Sequence, residues 1–263
     1  MKKEENFETA TINTWCPGCG NFGILAALKE ALKELSRKHG KENIVMVGGI
    51  GCHAKILDYV NVNSFYGLHG RTLPVMTGIK LANPKLQVIG FAGDGDAYAE
   101  GIGHLIHAAK RNTDVTAIVH NNGVFALTTG QATPTAAFGF VDKSTPQGNL
   151  ENPINPVKLM LAAGATFVAR AYAGDIEFLK EIILKAVAHK GFSFIDVLQP
   201  CVSFNNTFAL YNKKVYRMKG KLSFDEAMKK ADETEKIPIG IFYEHHKDSY
   251  EEVAFEKRNL LKS

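Results

Sequence analysis

Apolar residues along this chain come in short unbroken runs separated by stretches with helical spacing. The runs at 86–92 and 115–119 are too apolar on successive positions to leave a wet face. Each reads as a strand of a parallel sheet covered on both sides. Between them, 97–110 has the length and periodicity of a crossover helix. Upstream, 21–37 sets Ile24, Leu25, Leu28, Ala31, Leu32 and Leu35 along one side of a helix. A short buried strand follows at 44–48. Residues 61–73 read as a loop, and 73–81 as a helix ended by Asn83-Pro84. A long irregular segment, 123–155, is rich in Thr, Gly and Pro, and a loop of that length in a compact domain usually serves function. Alternation then resumes with helix 156–163, strand 165–170, helix 174–190 and strand 192–198. The order predicts an α/β fold, doubly wound about a mostly parallel sheet. Residues 1–15 read as a polar arm. Two units are expected: a domain over 1–201, and a C-terminal extension over 202–263 packed on that domain or on a partner, with one apolar segment at 237–243.

The turns after two of these strands carry candidate chemistry. Gly93-Asp94-Gly95-Asp96 ends the first run and Asn121-Asn122 follows the second. A right-handed crossover brings both turns to the same carboxyl edge of the sheet. There the Asp94 carboxylate and the Asn122 amide oxygen can converge on a hard cation such as Mg²⁺. The glycines let backbone N–H groups approach a pyrophosphate at a helix start. Gly-Asp-Gly followed by Asn-Asn at this spacing resembles the diphosphate-binding motif of thiamine-diphosphate enzymes. Ordinary strand-end turns use the same residues, but here the strands, the helix and the spacing agree.

With 263 residues the chain can bury one large core. Its net charge of +4 comes with scattered lysines, which gives no case for nucleic acid but suits an acidic partner or anionic substrates. No apolar stretch is long enough to span a bilayer and the first residues lack a signal-peptide core, so a cytoplasmic address away from membranes is expected. In that setting Cys16, Cys19, Cys52 and Cys201 are not expected to form disulfides. Cys52 follows the first strand and Cys201 the last, while Cys16 and Cys19 precede the first helix. All four therefore belong to the edge that carries Asp94 and Asn122. Convergent thiolates suit tetrahedral Zn²⁺ or a 4Fe–4S cluster. One C-x-x-C with two solitary cysteines is neither a pair of zinc knuckles nor a compact ferredoxin run. A thioredoxin-like pair at Cys16 and Cys19 would leave Cys52 and Cys201 without a role. Spacing alone keeps cluster, zinc and unligated thiols open.

Taken together, Thr14-Trp15-Cys16-Pro17-Gly18-Cys19-Gly20-Asn21, Gly49-Ile50-Gly51-Cys52, Leu68-His69-Gly70-Arg71, Gly93-Asp94-Gly95-Asp96 and His120-Asn121-Asn122 resemble one family. It is the beta subunit of the 2-oxoacid:ferredoxin oxidoreductases, of the 2-oxoglutarate or broad 2-oxoacid type, and the resemblance spans residues 12–245. It implies thiamine diphosphate held by Mg²⁺ and one 4Fe–4S cluster on Cys16, Cys19, Cys52 and Cys201. It also implies oxidative decarboxylation of a 2-oxoacid, with coenzyme A as acyl acceptor and ferredoxin as electron acceptor. A cluster beside the cofactor gives electrons an exit that redox-inert zinc does not.

Carried over by position, Asp94 and Asn122 bind Mg²⁺ through side chains and Val124 through its carbonyl. Ile50, Gly51, Cys52, His53, His69, Gly93, Gly95, Asp96, Leu127 and Thr128 line the thiamine diphosphate. Lys55 and Arg71 compete for the substrate's distal carboxylate, and His69 is a third candidate catalytic group. Each has a plainer reading, as a solvated cation or a hydrogen-bonded wall residue; Glu100 reads as structural. Lys55 and the segment from Cys201 to Asn205 favour 2-oxoglutarate, with pyruvate or a broad range left open. The glutamate that activates the aminopyrimidine ring normally comes from a separate domain, which implies an alpha subunit, with or without gamma and delta subunits. Two other readings compete: a non-oxidative thiamine-dependent decarboxylase or synthase subunit, and a zinc-stabilised assembly subunit.

Overall fold

The computed structural model describes residues 5–260, with side chains to Glu256. The first four residues of the expected arm and the last three of the expected extension lie outside the described residues. The chain runs α1 (Asn21–His39), β1 (Ile44–Gly48), β2 (Asn63–Tyr66), α2 (Thr72–Ala82), β3 (Gln87–Gly93), α3 (Ile102–Arg111) and β4 (Thr116–Asn121). A small hairpin, β5 (Val124–Phe125) and β6 (Gln131–Ala132), interrupts the irregular segment before α4 (Pro156–Ala162). Then come β7 (Phe167–Tyr172), α5 (Ile176–Ala188), β8 (Ser193–Leu198), α6 (Phe208–Lys214) and β9 (Val215–Arg217). Next, α7 (Phe224–Lys230), β10 (Ile237–Glu244) and α8 (Tyr250–Leu260) follow.

The unbroken apolar runs form the centre of one sheet, ordered β2-β1-β3-β4-β8-β7-β10-β9. Neighbours are parallel except β10, which runs antiparallel to β7. Alternate side chains of a strand face opposite ways. Ile89, Phe91, Ile118, Ile195 and Val197 accordingly pack with α1 and α5. Val88, Ala92, Ala117, Val119 and Phe194 pack with α2, α3, α4 and α7 on the other face. Each such Ile or Phe, fully buried, contributes about 1.5–3 kcal/mol. Central strands are thus apolar on both faces, and the doubly wound reading is borne out. Because β1 has β2 on one side and β3 on the other, a crevice opens beyond the carboxyl ends of β1 and β3.

Local signals place the helices that frame this edge. Arg37, Lys38 and His39 sit in the last turn of α1, and Gly40 (φ 83) ends it. Asn155 caps α4 and Asp175 caps α5.

Several elements differ from the sequence reading. The 61–73 stretch contains β2, whose four residues are all exposed, so no burial pattern announces it. The crossover helix is split: Asp96–Glu100 form a π turn and α3 begins only at Ile102. The arm is not simply polar, since Phe7 and Trp15 are buried against α1. The segment after residue 201 supplies β9 and β10 to the main sheet and packs α7 beside α4. No helix among the described residues is long and apolar enough to cross a membrane.

Candidate functional site

Four strand ends meet at the carboxyl edge. Gly49 N donates to Phe91 O at 3.0 Å, joining the turn after β1 to β3. Gln199 N donates to Asn121 O at 2.8 Å, joining the turn after β8 to β4. Gly20 N donates to Pro200 O at 3.1 Å, which brings the start of α1 and its two cysteines to the same place. Trp15 Nε1 donates to Cys52 O at 2.6 Å and ties the arm to the turn after β1. Two cavities open here. One is walled by the turns after β1, β3 and β4; the other is walled by all four cysteines. Cys52, Asn122 and Ala126 line both.

Asp94, 2% exposed, is the most tightly held group in the first cavity. Its Oδ2 accepts from Gly123 N at 2.9 Å, Thr133 Oγ1 at 2.5 Å and Thr135 Oγ1 at 2.6 Å. Burial pushes its pKa up, and these donors together with the Gly95 N–H oppose that rise. Thr135 also lies 2.9 Å from Asn121 Oδ1, so one hydroxyl links two strand-end residues. Asn121 Nδ2 and Tyr98 Oη each donate to the buried Asp196 at 3.0 Å, which anchors the chain beneath. Burial also raises the pKa of Asp196, against the pull of Arg170.

Asn122 Oδ1 accepts from Val124 N at 2.9 Å, and its Nδ2 donates to Gln199 Oε1 at 2.9 Å. An amide oxygen keeps a second lone pair, so Asn122 can still serve a cation. Asp94, Asn122 and Val124 line one cavity, and carboxylate, amide and main-chain oxygens are donor types that fit Mg²⁺ completed by phosphate oxygens. Among the described residues no three His, Cys, Asp or Glu side chains are gathered as a single-ion site.

Asp96 ties the loop before α2 to this edge. Its Oδ1 accepts from Gly70 N at 2.6 Å, and His53 Nε2 lies 3.4 Å from Oδ2. Burial pushes its pKa up, but His53 and the Gly70 N–H outweigh burial and leave it lowered. Two glycines are required by close approach: a Cβ at Gly49 would collide with the Asp96 carboxylate, and one at Gly95 with the Phe125 ring. His120 Nδ1 lies 2.8 Å from Asn21 Oδ1, an acceptor, so Nδ1 carries the proton. Its Nε2 is buried without a partner. Burial, then His53, holds the His120 pKa well below its ordinary value, so the ring is neutral.

All residues expected at the thiamine diphosphate line the first cavity: Ile50, Gly51, Cys52, His53, His69, Gly93, Asp94, Gly95, Asp96, Asn122, Leu127 and Thr128, with Val124 among them. Lys55 instead lines the cysteine cavity, where its Nζ donates to Thr14 Oγ1 at 3.0 Å. Arg71 lines neither; its Nη1 lies 3.4 Å from the carbonyls of Gly70 and Glu100. Glu100 Oε2 is 3.1 Å from His69 Nδ1. Burial pushes the Cys19 thiol up to about 11, eased by a backbone bond at Asn21 and reinforced by the other three cysteines. Burial likewise raises Cys52, against the pull of Lys55. Sequence reasoning missed Phe125, Thr133, Thr135 and Gln199, and quoted His120 in its motif without a role. The Thr-rich composition of 123–155 was the one available signal, and it pointed to a segment rather than to residues.

Residues 49–197 match the family model described as thiamine pyrophosphate enzyme, C-terminal TPP binding domain. Residues 201–257 match the model for the C-terminal part of the pyruvate ferredoxin oxidoreductase beta subunit. The 2-oxoacid:ferredoxin oxidoreductase subunit beta of Saccharolobus solfataricus is 46% identical, over 94% of this chain and 87% of its own length. The 2-oxoglutarate synthase subunit KorB of Methanocaldococcus jannaschii is 34% identical, over 95% and 94%. A solved 2-oxoglutarate:ferredoxin oxidoreductase from Magnetococcus marinus, with 2-oxoglutarate, coenzyme A and succinyl-CoA bound, is similar with a TM-score of 0.92. It is 34% identical, and the likeness covers 98% of this chain and 90% of that one. Identity over nearly the full length and a shared fold place this chain among the beta subunits of the thiamine-diphosphate-dependent 2-oxoacid:ferredoxin oxidoreductases.

Proposed function

We propose that this chain, with its alpha partner, carries out coenzyme A-dependent oxidative decarboxylation of a 2-oxoacid, preferring 2-oxoglutarate, and passes the electrons through a 4Fe–4S cluster to ferredoxin. The observation that carries the reading is the shared wall of Cys52, Asn122 and Ala126 between the oxygen-lined and thiol-lined cavities. Asp94, Asn122 and the Val124 carbonyl would hold Mg²⁺, and Cys16, Cys19, Cys52 and Cys201 would hold the cluster. When bound, thiamine diphosphate supplies an electron sink at the 2-oxo carbon and the cluster accepts single electrons.

The residues themselves orient and exclude. Thr133, Thr135 and Gly123 fix Asp94, so little reorganisation is left to a cation. Phe125, packed on Gly95, and His53, buried beside Asp96, close the floor of the cavity to water. His120, neutral and buried, lines that cavity as well. Lys55, a cation beside Cys52, is assigned to the substrate's distal carboxylate. Coenzyme A is assigned as acyl acceptor by likeness to the Magnetococcus marinus enzyme.

The test is ferredoxin reduction by the anaerobically purified complex, which should require 2-oxoglutarate and coenzyme A together. Carbon dioxide release without ferredoxin reduction would favour the non-oxidative reading. Lys55→Ile tests the substrate: KM for 2-oxoglutarate should rise about tenfold or more, as for loss of a charge-assisted bond, with pyruvate kinetics unmoved. An equal change for both acids would remove Lys55 from that role.

A further inference from the structure

Gln199, only 1% exposed, lines the cysteine cavity and is bonded to Asn122, which lines both cavities. Its Oε1 accepts from Asn122 Nδ2 at 2.9 Å. Its Nε2 donates to Cys19 Sγ at 3.6 Å and to Pro200 O at 2.7 Å. Both amide orientations are fixed from outside the pair. The Val124 N–H can only donate, so the Asn122 atom facing it is oxygen and its nitrogen turns to Gln199. The Pro200 carbonyl can only accept, so the Gln199 atom beside it is nitrogen. Two independent backbone groups select the same arrangement.

We propose that Gln199 is a positioning residue that couples the two sites. Its Oε1 end orients the Asn122 amide oxygen toward the cation. Its Nε2 end, donating to the Cys19 sulfur, raises the reduction potential of the cluster. The inference rests on the cluster reading of function given above. An N–H donor favours the more negative, reduced state of a thiolate-bound cluster, and hydrogen bonds to the sulfurs are among the determinants of cluster potential. Partners of a metal ligand likewise set its orientation and affinity. The two ends use different atoms, so they separate by mutation.

Gln199→Glu keeps an acceptor for Asn122 and removes the donor to Cys19. An ionised glutamate has no proton, and a protonated one has a single proton that goes to the stronger acceptor, Pro200 O. Gln199→Met removes both ends. In the complex purified without oxygen, spectroscopic redox titration should show both variants harder to reduce. The expected change is about tenfold in the one-electron equilibrium, about 59 mV. Calorimetry should show Mg²⁺-dependent thiamine diphosphate binding near wild type in Gln199→Glu and about tenfold weaker in Gln199→Met. Wild-type potentials in the variants, even with lowered stability, would overturn the coupling, and so would unchanged cofactor affinity in Gln199→Met. If Gln199→Met does not assemble, Gln199→Leu, which lacks the donor and adds no charge, takes its place, since a carboxylate in Gln199→Glu lowers the potential by charge alone. A wild-type complex without iron and sulfide would overturn the functional reading itself, an outcome distinct from a cluster whose potential ignores Gln199.

Discussion

At the amino ends of the strands, the buried Asn112 directs all its side-chain hydrogen bonding into the fold. Its Nδ2 donates to Lys247 O at 2.9 Å and Asp248 O at 3.1 Å, while Oδ1 accepts from Thr166 Oγ1 at 2.7 Å and Phe192 N at 2.8 Å. Beside it Lys80, 2% exposed, pairs with Asp114 at 2.7 Å. The segment leading into α8 is latched there. At the carboxyl ends, Asn122, which lines both cavities, bonds to Gln199 of the cysteine cavity, and His120 keeps one buried nitrogen unpartnered. Both edges bury polar groups. Each edge also leaves some unpartnered, Thr113 Oγ1 and Glu251 Oε1 at the amino ends and His120 Nε2 at the carboxyl ends, but it is at the carboxyl ends that the polar residues line a cavity.

The comparison breaks most sharply at Asp94. Asp94→Ala should weaken Mg²⁺-dependent thiamine diphosphate binding more than about 100-fold, beyond the range for outer partners, with the far-UV spectrum retained. A variant that binds normally would move the cation elsewhere. Asn112→Ala is the counterpart at the other edge. It leaves the Phe192 N–H unpartnered and unlatches α8, at a cost of about 2–4 kcal/mol. Denaturant melts should show this while calorimetry finds cofactor affinity unchanged. Thr135→Val sharpens the first edge: loss of its bonds to Asp94 and Asn121 should weaken Mg²⁺ about tenfold, with little change in melting temperature.

The smallest effect concerns Glu251, whose pKa burial raises against the Asp114 N–H. A raised carboxyl favours the protonated form in the fold, so stability from this group falls as pH rises through the folded pKa. Glu251→Gln should therefore melt above wild type at about pH 8, with the gap closing toward about pH 4. A gap that widens on acidification would reverse the sign.

Much of this was legible because burial on both faces writes itself as unbroken apolar runs. β3, β4 and β8 were placed that way, and their ends carried Asp94, Asn122 and Cys201 with them. β2 was not legible, since four exposed residues leave no period. The π turn was hidden because Asp96–Glu100 has helical composition, and only the close approach of Gly101 N to Asp96 O, at 3.0 Å, shows the wider turn. Arg71 read as a substrate cation from its motif, yet local carbonyls hold its guanidinium. Thr133, Thr135 and Gln199 act through distances between segments far apart in the chain, which no local pattern encodes.

The central claim is that one sheet edge holds a diphosphate site and a cluster site against a common wall. Iron, acid-labile sulfide and zinc, measured in the complex purified without oxygen, test it most directly. The account predicts about four irons and four sulfides per chain. Zinc at the thiols, or neither metal, would contradict it.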